Sequence, residues 1–555
     1  MPEAQITAQY KWLYLFIGLT ALVNFSGLLI PIMGPDAALY ALLAKTMVIR
    51  HDYVNLYYHG ADWLDKPHFP FWITAVSFNL FGFTTWAYKL PGILFILMAA
   101  GYTYKFTKAI YNKEIALWSV LILLTAEHIV LSDNDVRAEP YLTGLIIAAV
   151  YHLYCAYQNK SFWQLLAGCI FTACAIMTKG MFALVPIGGA IAGHFIITKQ
   201  WKALFSFRSL LGIILVMIFI FPELWCLNKQ FDLHPEKVVF GQKGVSGIRF
   251  FFWDSQFGRF FNTGPIKGSG DPFFFVHTAL WAFLPWSLLL FAAVFQYIKT
   301  SSKNVKAHEW FCISGALLTF LLFSASKFQL PHYLNIVFPF FAILTAQYIY
   351  YIKLHRTIRA VNTTQTIVII LLLLLVCVLQ YFFRPAVFSL YTALVLAVLF
   401  LMMVIFPEEM GHSINHKIVY RTVLASFIIN LYLNLSFYPS LMKYQAASEA
   451  AMFINQNNKQ NMPVVVLGDD YVTAFEFYIN KPVTKIDAAG RGDLPAKPFM
   501  LYAPADVISG LNVKGWQIKP LSNYERYWVS RLNAAFLNKY TRAKELTTTQ
   551  VVLVN

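Results

Sequence analysis

Several short stretches of this chain set an acid or a cation beside proline or glycine at the end of an apolar run. Asp36 lies in Met33-Gly34-Pro35-Asp36 with Tyr40 one turn on, and Lys66 in Asp65-Lys66-Pro67. Arg137 and Glu139 fall in Asp135-Val136-Arg137-Ala138-Glu139-Pro140, and Lys179 in Thr178-Lys179-Gly180. Arg259 lies in a long connection, and Lys327 just ahead of Pro331-His332-Tyr333. Cations in twos and threes suit a phosphate or pyrophosphate, whose oxygens take charge and hydrogen bonds from Lys and Arg. A carboxylate beside them can accept the proton of an attacking hydroxyl. A leaving phosphate and an attacking hydroxyl together describe glycosyl transfer from a lipid-linked sugar, with the cations stabilising charge on the leaving group. In that reading Asp36 and Glu139 are catalytic, and Lys66, Arg137, Lys179, Arg259 and Lys327 bind the donor phosphate. Tyr40, His332 and Tyr333 complete the pocket.

Each residue also has a plainer use. Pro35-Asp36 is an ordinary helix start, and Glu139 ahead of Pro140 can be an N-cap. Arg137 can pair with Asp133 or Asp135, and Lys66 and Lys327 can reach lipid headgroups. His59, His68 and His332 suit interfacial hydrogen bonding. No cluster has the ligand spacing of a zinc site. A divalent ion at Asp36 and Glu139 is compatible with the residue types but not required, so the expectation is no metal and no cofactor.

The elements that must position these residues are membrane helices. Hydrophobic residues make up 58% of the 555 residues and charged residues only 13%, about half the charge of a soluble domain. The apolar residues come in blocks such as 13–32, 367–379 and 387–406, and a block of about 20 spans a bilayer as a helix. About 13 spans are expected, centred near Leu22, Leu97, Leu123, Ile146, Leu166, Ile187, Ile218, Leu288, Leu317, Phe340, Leu373, Leu396 and Ile428. The first is read as a retained helix, since no signal-peptide cleavage pattern follows it. The net charge of +16 is scattered in small groups between apolar runs, which points to membrane topology and lipid phosphate, not nucleic acid. Alternate connections carry Lys105, Lys108 and Lys113; Lys199, Lys202 and Arg208; Lys299, Lys303 and Lys306; Lys353, Arg356 and Arg359; and Lys417 and Arg421. The positive-inside rule puts these and the N-terminus in the cytoplasm, and the candidate site outside. The six cysteines fall in or beside apolar runs without a C-x-x-C pair and are read as packing residues.

Two outer connections, about 33–86 and 228–274, mix aromatics with charge, as helices lying in the interface do. The expected organisation is a membrane core over 1–442 and a small soluble α/β domain over 443–555, on the outer (periplasmic) side. Strand-like runs at 463–467, 482–486, 498–502 and 550–554 alternate there with helical stretches.

Taken in order, these motifs resemble the C-superfamily (GT-C) membrane glycosyltransferases, nearest to the bacterial aminoarabinose transferases of lipid A and more distantly to the protein O-mannosyltransferases. The resemblance covers about the first 350 residues. It rests on Gly34-Pro35-Asp36, Lys66-Pro67 with Phe71-Trp72, Phe81-Gly82, Lys89-Leu90-Pro91, Arg137-Ala138-Glu139, Thr178-Lys179-Gly180, Leu284-Pro285-Trp286 and Ser326-Lys327 with Leu330-Pro331-His332-Tyr333. It implies a helical core with interfacial helices in the first outer loop and a polyprenyl (undecaprenyl) phosphate-linked donor. Transfer would invert the anomeric carbon, to an acceptor such as lipid A, another glycolipid or a protein. Asp36 matches the acid of the first outer loop and Lys66 a lysine implicated with the donor phosphate. His68 stands where many relatives have Pro, Glu139 where they have Asp, and Lys89 where Arg is common; the last exchange is expected to be neutral. Competing readings are a lipid-sugar flippase or transporter, a surface-polysaccharide ligase or polymerase, and a noncatalytic scaffold. The absence of an internal repeat and the position of the charges at span ends count against transport.

Overall fold

The computed structural model describes residues 3–301, 309–410, 413–467, 472–487, 492–513 and 515–555; Lys303 and Lys306 lie outside them. The chain is mostly helical. α1 (Glu3–Phe25) leads through a turn to α2 (Pro35–Arg50), α3 (Phe69–Phe81) and α4 (Thr85–Ile110). α5 (Lys113–Leu124) and α6 (Glu127–Asn134) form one apolar stretch bent by 52°. α7 (Ala138–Asn159), α8 (Phe162–Lys179) and α9 (Leu184–Ile197) follow, then the long α10 (Trp201–Asp232). α11 (Phe274–Ala282), α12 (Ser287–Ser301), α13 (Phe311–Ala325), α14 (Pro331–Tyr351), α15 (His355–Phe382), α16 (Leu390–Met410) and α17 (Ile414–Gln445) complete the helical part.

By length and composition six of these helices can cross a membrane among the described residues, or seven if the bent α5–α6 pair is one span. This is a multi-pass membrane protein. Each of the thirteen expected centres falls within a helix. Those at Leu22, Ile187, Leu288, Leu317 and Leu396 lie on apolar helical stretches of 10–17 residues, such as Tyr10–Phe25 within α1 and Leu390–Ile405 within α16. The interior is built on α7, which packs against α4 and α8 and buries a continuous run from Ala138 to Val150. Trp118 and Trp286 are fully buried; the Trp286 indole N–H donates to Thr125 Oγ1 at 2.9 Å. α15 is different. It leaves Ile367, Ile370, Leu371 and Leu374 each more than half exposed, an apolar face that only lipid can cover.

The two long connections expected on the outer side carry the hairpins β1 (Tyr57–Tyr58)–β2 (Ala61–Asp62) and β3 (Val238–Val239)–β4 (Gln242–Lys243). Gln230 ties them together: its amide accepts from the Leu56 N–H (2.9 Å) and donates to the Leu56 carbonyl (2.8 Å) and to Asp62 (2.9 Å).

After α17 the chain forms a five-stranded sheet in the order β6-β5-β7-β9-β8: β5 (Val464–Leu467), β6 (Val483–Ile486), β7 (Phe499–Pro504), β8 (Ile518–Arg526) and β9 (Thr547–Val554). β5 pairs in parallel with β6 and β7, and β9 antiparallel with β7 and β8. Buried throughout, β5 reads as an unbroken Val-Val-Val-Leu run, as an internal parallel strand must. α18 (Ala447–Asn457), α19 (Val472–Tyr478) and α20 (Ala505–Val513) connect and flank the strands. α19 packs on α2 and so joins the C-terminal unit to the first outer loop.

Candidate active site

Asp36 occupies the first turn of α2. Pro35 at the first helical position pre-sets φ, and the acid faces the positive end of the helix dipole. Glycine is required at 34, since a Cβ there would stand 2.8 Å from the Asp135 carboxylate and 2.9 Å from Arg137 Nη2. Instead the Gly34 N–H donates to Asp135 Oδ1 at 2.9 Å. Arg137 bridges the two acids, with Nη1 on Asp36 and Nη2 on Asp135, each at 2.8 Å. The Asp36 side chain is 55% exposed against 20% for Arg137, so Arg137 fixes the direction of a carboxylate that stays accessible.

A second group is built around Asp65. One of its oxygens accepts from Lys66 Nζ at 2.7 Å, and the other from Arg259, carried by the short helical turn Phe257–Phe261 of the second outer connection. Burial works against the ionised Asp65, but Lys66 and Arg259 outweigh it and hold the carboxyl below its usual range. Arg259 Nε is buried and has no partner among the described residues, and Lys66 uses only one of its three N–H donors on Asp65. Donors therefore remain for a ligand. Lys66, Arg259 and Lys179 line one cavity together with Asp65, Glu223 and Gln256, and most of the remaining wall is apolar and aromatic, including Phe250, Phe251, Phe328 and Tyr333.

Lys179 links this cavity to Glu139. It ends α8, where Gly180 at φ +85° turns the chain away and a Cβ would collide with Gln256 at 2.3 Å. Its ammonium bonds to the buried Glu139 carboxylate and sits 3.6 Å from the centre of the Tyr333 ring. His332 Nε2 lies 3.8 Å from the same Glu139 oxygen. Tyr40 is buried and packs edge-on against Phe71 at 5.2 Å.

The structure departs from the sequence reading at several residues. Arg137 is committed to Asp36 and Asp135 and does not line the cavity; two acids close in sequence and space claim its guanidinium. Lys327 is exposed, and its ammonium has no partner among the described residues. Its neighbours Ser326 and Phe328 line the cavity and Lys327 does not: the chain bends here, with Ser326 Oγ accepting from the Phe328 N–H at 3.2 Å. Lys89, which the sequence reading left outside the site, is fully buried and donates to the Gly27 (3.1 Å) and Ile30 (2.7 Å) carbonyls ahead of the Asp36 turn.

Asp65, Asp135 and Glu223 were not anticipated as site residues. Glu223 is a lone acid inside the apolar run of α10, which is the signal that marks it: a charge at such a place has a partner or a task. It holds the loop behind Lys66, accepting from the His68 backbone N–H and bonding to His68 Nδ1, both at 3.0 Å. His68 Nε2 lies 2.9 Å from the Val54 carbonyl. His68 thus pins the lysine loop to Glu223, which lines the cavity. Among the described residues no three His, Cys, Asp or Glu side chains converge as metal ligands do.

The profile of the dolichyl-phosphate-mannose-protein mannosyltransferase family matches residues 65–225. An uncharacterized protein of Aquifex aeolicus is 25% identical over 320 residues, 57% of this chain and 59% of that protein. The undecaprenyl phosphate-alpha-4-amino-4-deoxy-L-arabinose arabinosyl transferase of Edwardsiella ictaluri is 25% identical over 320 residues, 57% of this chain and 55% of that protein. The chain thus spans a little over half the length of these curated relatives. The crystal structure of ArnT from Cupriavidus metallidurans bound to undecaprenyl phosphate superposes with a TM-score of 0.71 at 18% identity over 98% of each chain. Its apo state gives 0.72 at 17% identity over the same coverage. The fold is that of these ArnT structures. The chain resembles the aminoarabinose transferases among membrane glycosyltransferases.

Proposed function

We propose that this protein is an inverting glycosyltransferase of the bacterial inner membrane that moves a sugar from an undecaprenyl phosphate carrier to an acceptor at the outer face. The observation that carries the reading is the pairing of Lys66 and Arg259 on Asp65, with Lys179 in the same aromatic-walled cavity and donors left unpaired. A phosphate supplies the acceptors those donors lack, and the aromatic walls suit the sugar and the first isoprenes. The structure bound to undecaprenyl phosphate and the arabinosyl transferase relatives support a carrier of this kind. Lipid A, another glycolipid or a protein serves as acceptor.

In this mechanism the acceptor oxygen attacks the anomeric carbon from the side of Asp36, which takes the proton as the bond to the phosphate oxygen breaks. Lys66 and Arg259 hold the charge growing on the released carrier phosphate. Lys179 pairs with Glu139 beside Tyr333 and gives the cavity a third cation. Arg137 orients Asp36, and Lys327 is left outside the pocket. The topology that goes with this is the thirteen-span arrangement, with the N-terminus cytoplasmic and 443–555 a periplasmic α/β domain. The experiment is direct: the purified chain, given undecaprenyl phosphate-aminoarabinose and lipid A, is expected to add one sugar mass to lipid A and release undecaprenyl phosphate. Intact donor after prolonged incubation with lipid A, other glycolipids and envelope protein would remove the reading.

Two expected outcomes arise from the site itself. The cations fill the place a divalent ion takes in other phosphate-leaving reactions, so transfer is expected to run at an unchanged rate after dialysis against EDTA. Loss of activity restored by one divalent metal would show an ion in the leaving-group role. The second concerns pH. Burial pulls Lys66 below its ordinary value of 10.5, with Arg259 adding to the effect and Asp65 opposing it. Only the protonated lysine serves the phosphate, so kcat/KM for the donor should be full at lower pH and fall as pH rises through the lowered value. A Lys66→Arg protein keeps its charge at any accessible pH, and its alkaline limb should move upward even if its rate is lower. An identical limb in both proteins would assign it to another group.

A further inference from the structure

The backbone leading into Asp36 has its polar groups held by side chains from distant parts of the chain. Lys89 takes the Gly27 and Ile30 carbonyls at 3.1 and 2.7 Å. Tyr478 Oη accepts from the Ile32 N–H at 2.9 Å. Gln445 Nε2 donates to the Ile32 and Met33 carbonyls at 2.9 and 3.1 Å. Asp135 accepts from the Gly34 N–H. The last α1 turn, the extended residues and the start of α2 are thereby fixed, although the turn makes few hydrogen bonds of its own. A buried backbone N–H or carbonyl needs a partner, and here the partners also set the direction of the next residue that matters.

Tyr478 comes from the C-terminal unit, at the end of α19, and its hydroxyl also bonds to Thr85 Oγ1 at 2.9 Å. Burial pushes this phenol up to about 12, so the hydroxyl stays neutral at working pH. α19 is itself seated with care. Lys45 of α2 sends its ammonium to three carbonyls at the C-terminal end of α19, those of Glu476 (3.1 Å), Phe477 (2.7 Å) and Ile479 (2.8 Å). Those carbonyls have no partner inside the helix, and a cation is favoured at this end of it. Tyr58 bonds to Thr473 at 2.7 Å and His59 to Glu476 at 2.8 Å, so the first outer loop grips α19 at both ends. The Phe477 ring packs beside Phe78 and Tyr88, at 6.0 and 6.4 Å between centroids.

We propose that Tyr478 is a positioning residue for the transfer reaction, and that the C-terminal unit, through α19, sets the turn that aims Asp36. The proposal rests on the role given to Asp36 above. It assigns the unit a task within the catalytic step in place of acceptor recognition. Neither Tyr478 nor Lys45 touches the cavity that holds the donor cations, so the effect is on geometry at Asp36 and not on donor binding.

Tyr478→Phe in the full-length protein removes one oxygen and leaves the ring. With undecaprenyl phosphate-aminoarabinose and lipid A as probes, kcat is expected to fall roughly 10- to 100-fold, the loss that a small misplacement of a reacting group brings, with KM for both substrates unchanged. Lys45→Met, which unseats the end of α19, should act in the same direction. Deuterium exchange gives a readout that does not depend on turnover: amides 32–38 should lose protection in Tyr478→Phe while those lining the donor cavity keep theirs. An unchanged kcat, or a raised acceptor KM at constant kcat, would overturn the proposal, the latter in favour of acceptor recognition. So would unchanged exchange at 32–38. If the wild-type chain moves no sugar, the reaction assigned above fails, and the exchange result alone decides whether α19 positions the turn.

Discussion

Asp36→Asn is expected to lower transfer by about 100- to 10,000-fold, the range that loss of a positioned general base produces, in a protein that folds and still binds undecaprenyl phosphate. The amide is nearly the same size and can still accept one hydrogen bond from Arg137, so the Asp36–Arg137–Asp135 arrangement should survive. What disappears is the ability to take a proton. The half-exposed position of Asp36 also keeps the substitution from burying an unpaired group. Steady-state rates beside a carrier-binding measurement check this. Near wild-type turnover by a folded Asp36→Asn protein would remove Asp36 from the proton transfer and turn attention to Glu139.

Lys66→Ala should show the second largest effect, with a fall in kcat of about 100- to 1,000-fold, as when one donor to a developing anion is removed. Its reach extends beyond one charge. Asp65 loses a partner and is left to Arg259 alone, so the guanidinium is drawn further into the carboxylate and away from the phosphate. The donor KM should rise with the fall in kcat, and the acceptor KM should not. Replacing Asp65 together with Lys66 should restore part of the loss by freeing Arg259, which separates the leaving-group role from a structural one. Kinetics in which the acceptor constant alone changed would reverse the assignment.

Much of this was legible in the sequence, for reasons that differ by element. Apolar blocks locate helices because lipid forces every backbone polar group to be satisfied within the segment. All thirteen block centres accordingly lie in helices. Block length was less informative. The bend of 52° between α5 and α6 falls at Thr125-Ala126, where neither proline nor glycine marks it. Strand β8 went unread because Ile518–Arg526 is polar, carries Pro520 and sits at the sheet edge, where a clean alternation is not needed. At the site, residue types and their common outer face identified the cations and acids. Their pairings were not available, because Asp65–Arg259 and Asp36–Arg137 join residues 194 and 101 positions apart. Glu223 was missed although a lone acid in an apolar run is among the clearest signals a membrane sequence offers. Lys327 was over-read, since nearness to Pro331-His332-Tyr333 says nothing of which way a side chain in a bend points.

Sealed proteoliposomes show whether donor phosphate and acceptor meet in one catalytic pocket. The protein is reconstituted with radiolabelled undecaprenyl phosphate-aminoarabinose and lipid A, with Asp36→Asn vesicles run in parallel. The account predicts that wild-type vesicles move label to lipid A and release one undecaprenyl phosphate per sugar moved, while the variant leaves the donor intact. Donor that stays intact in both but changes leaflet only with the wild type would contradict it, and would make these charges a path for translocation.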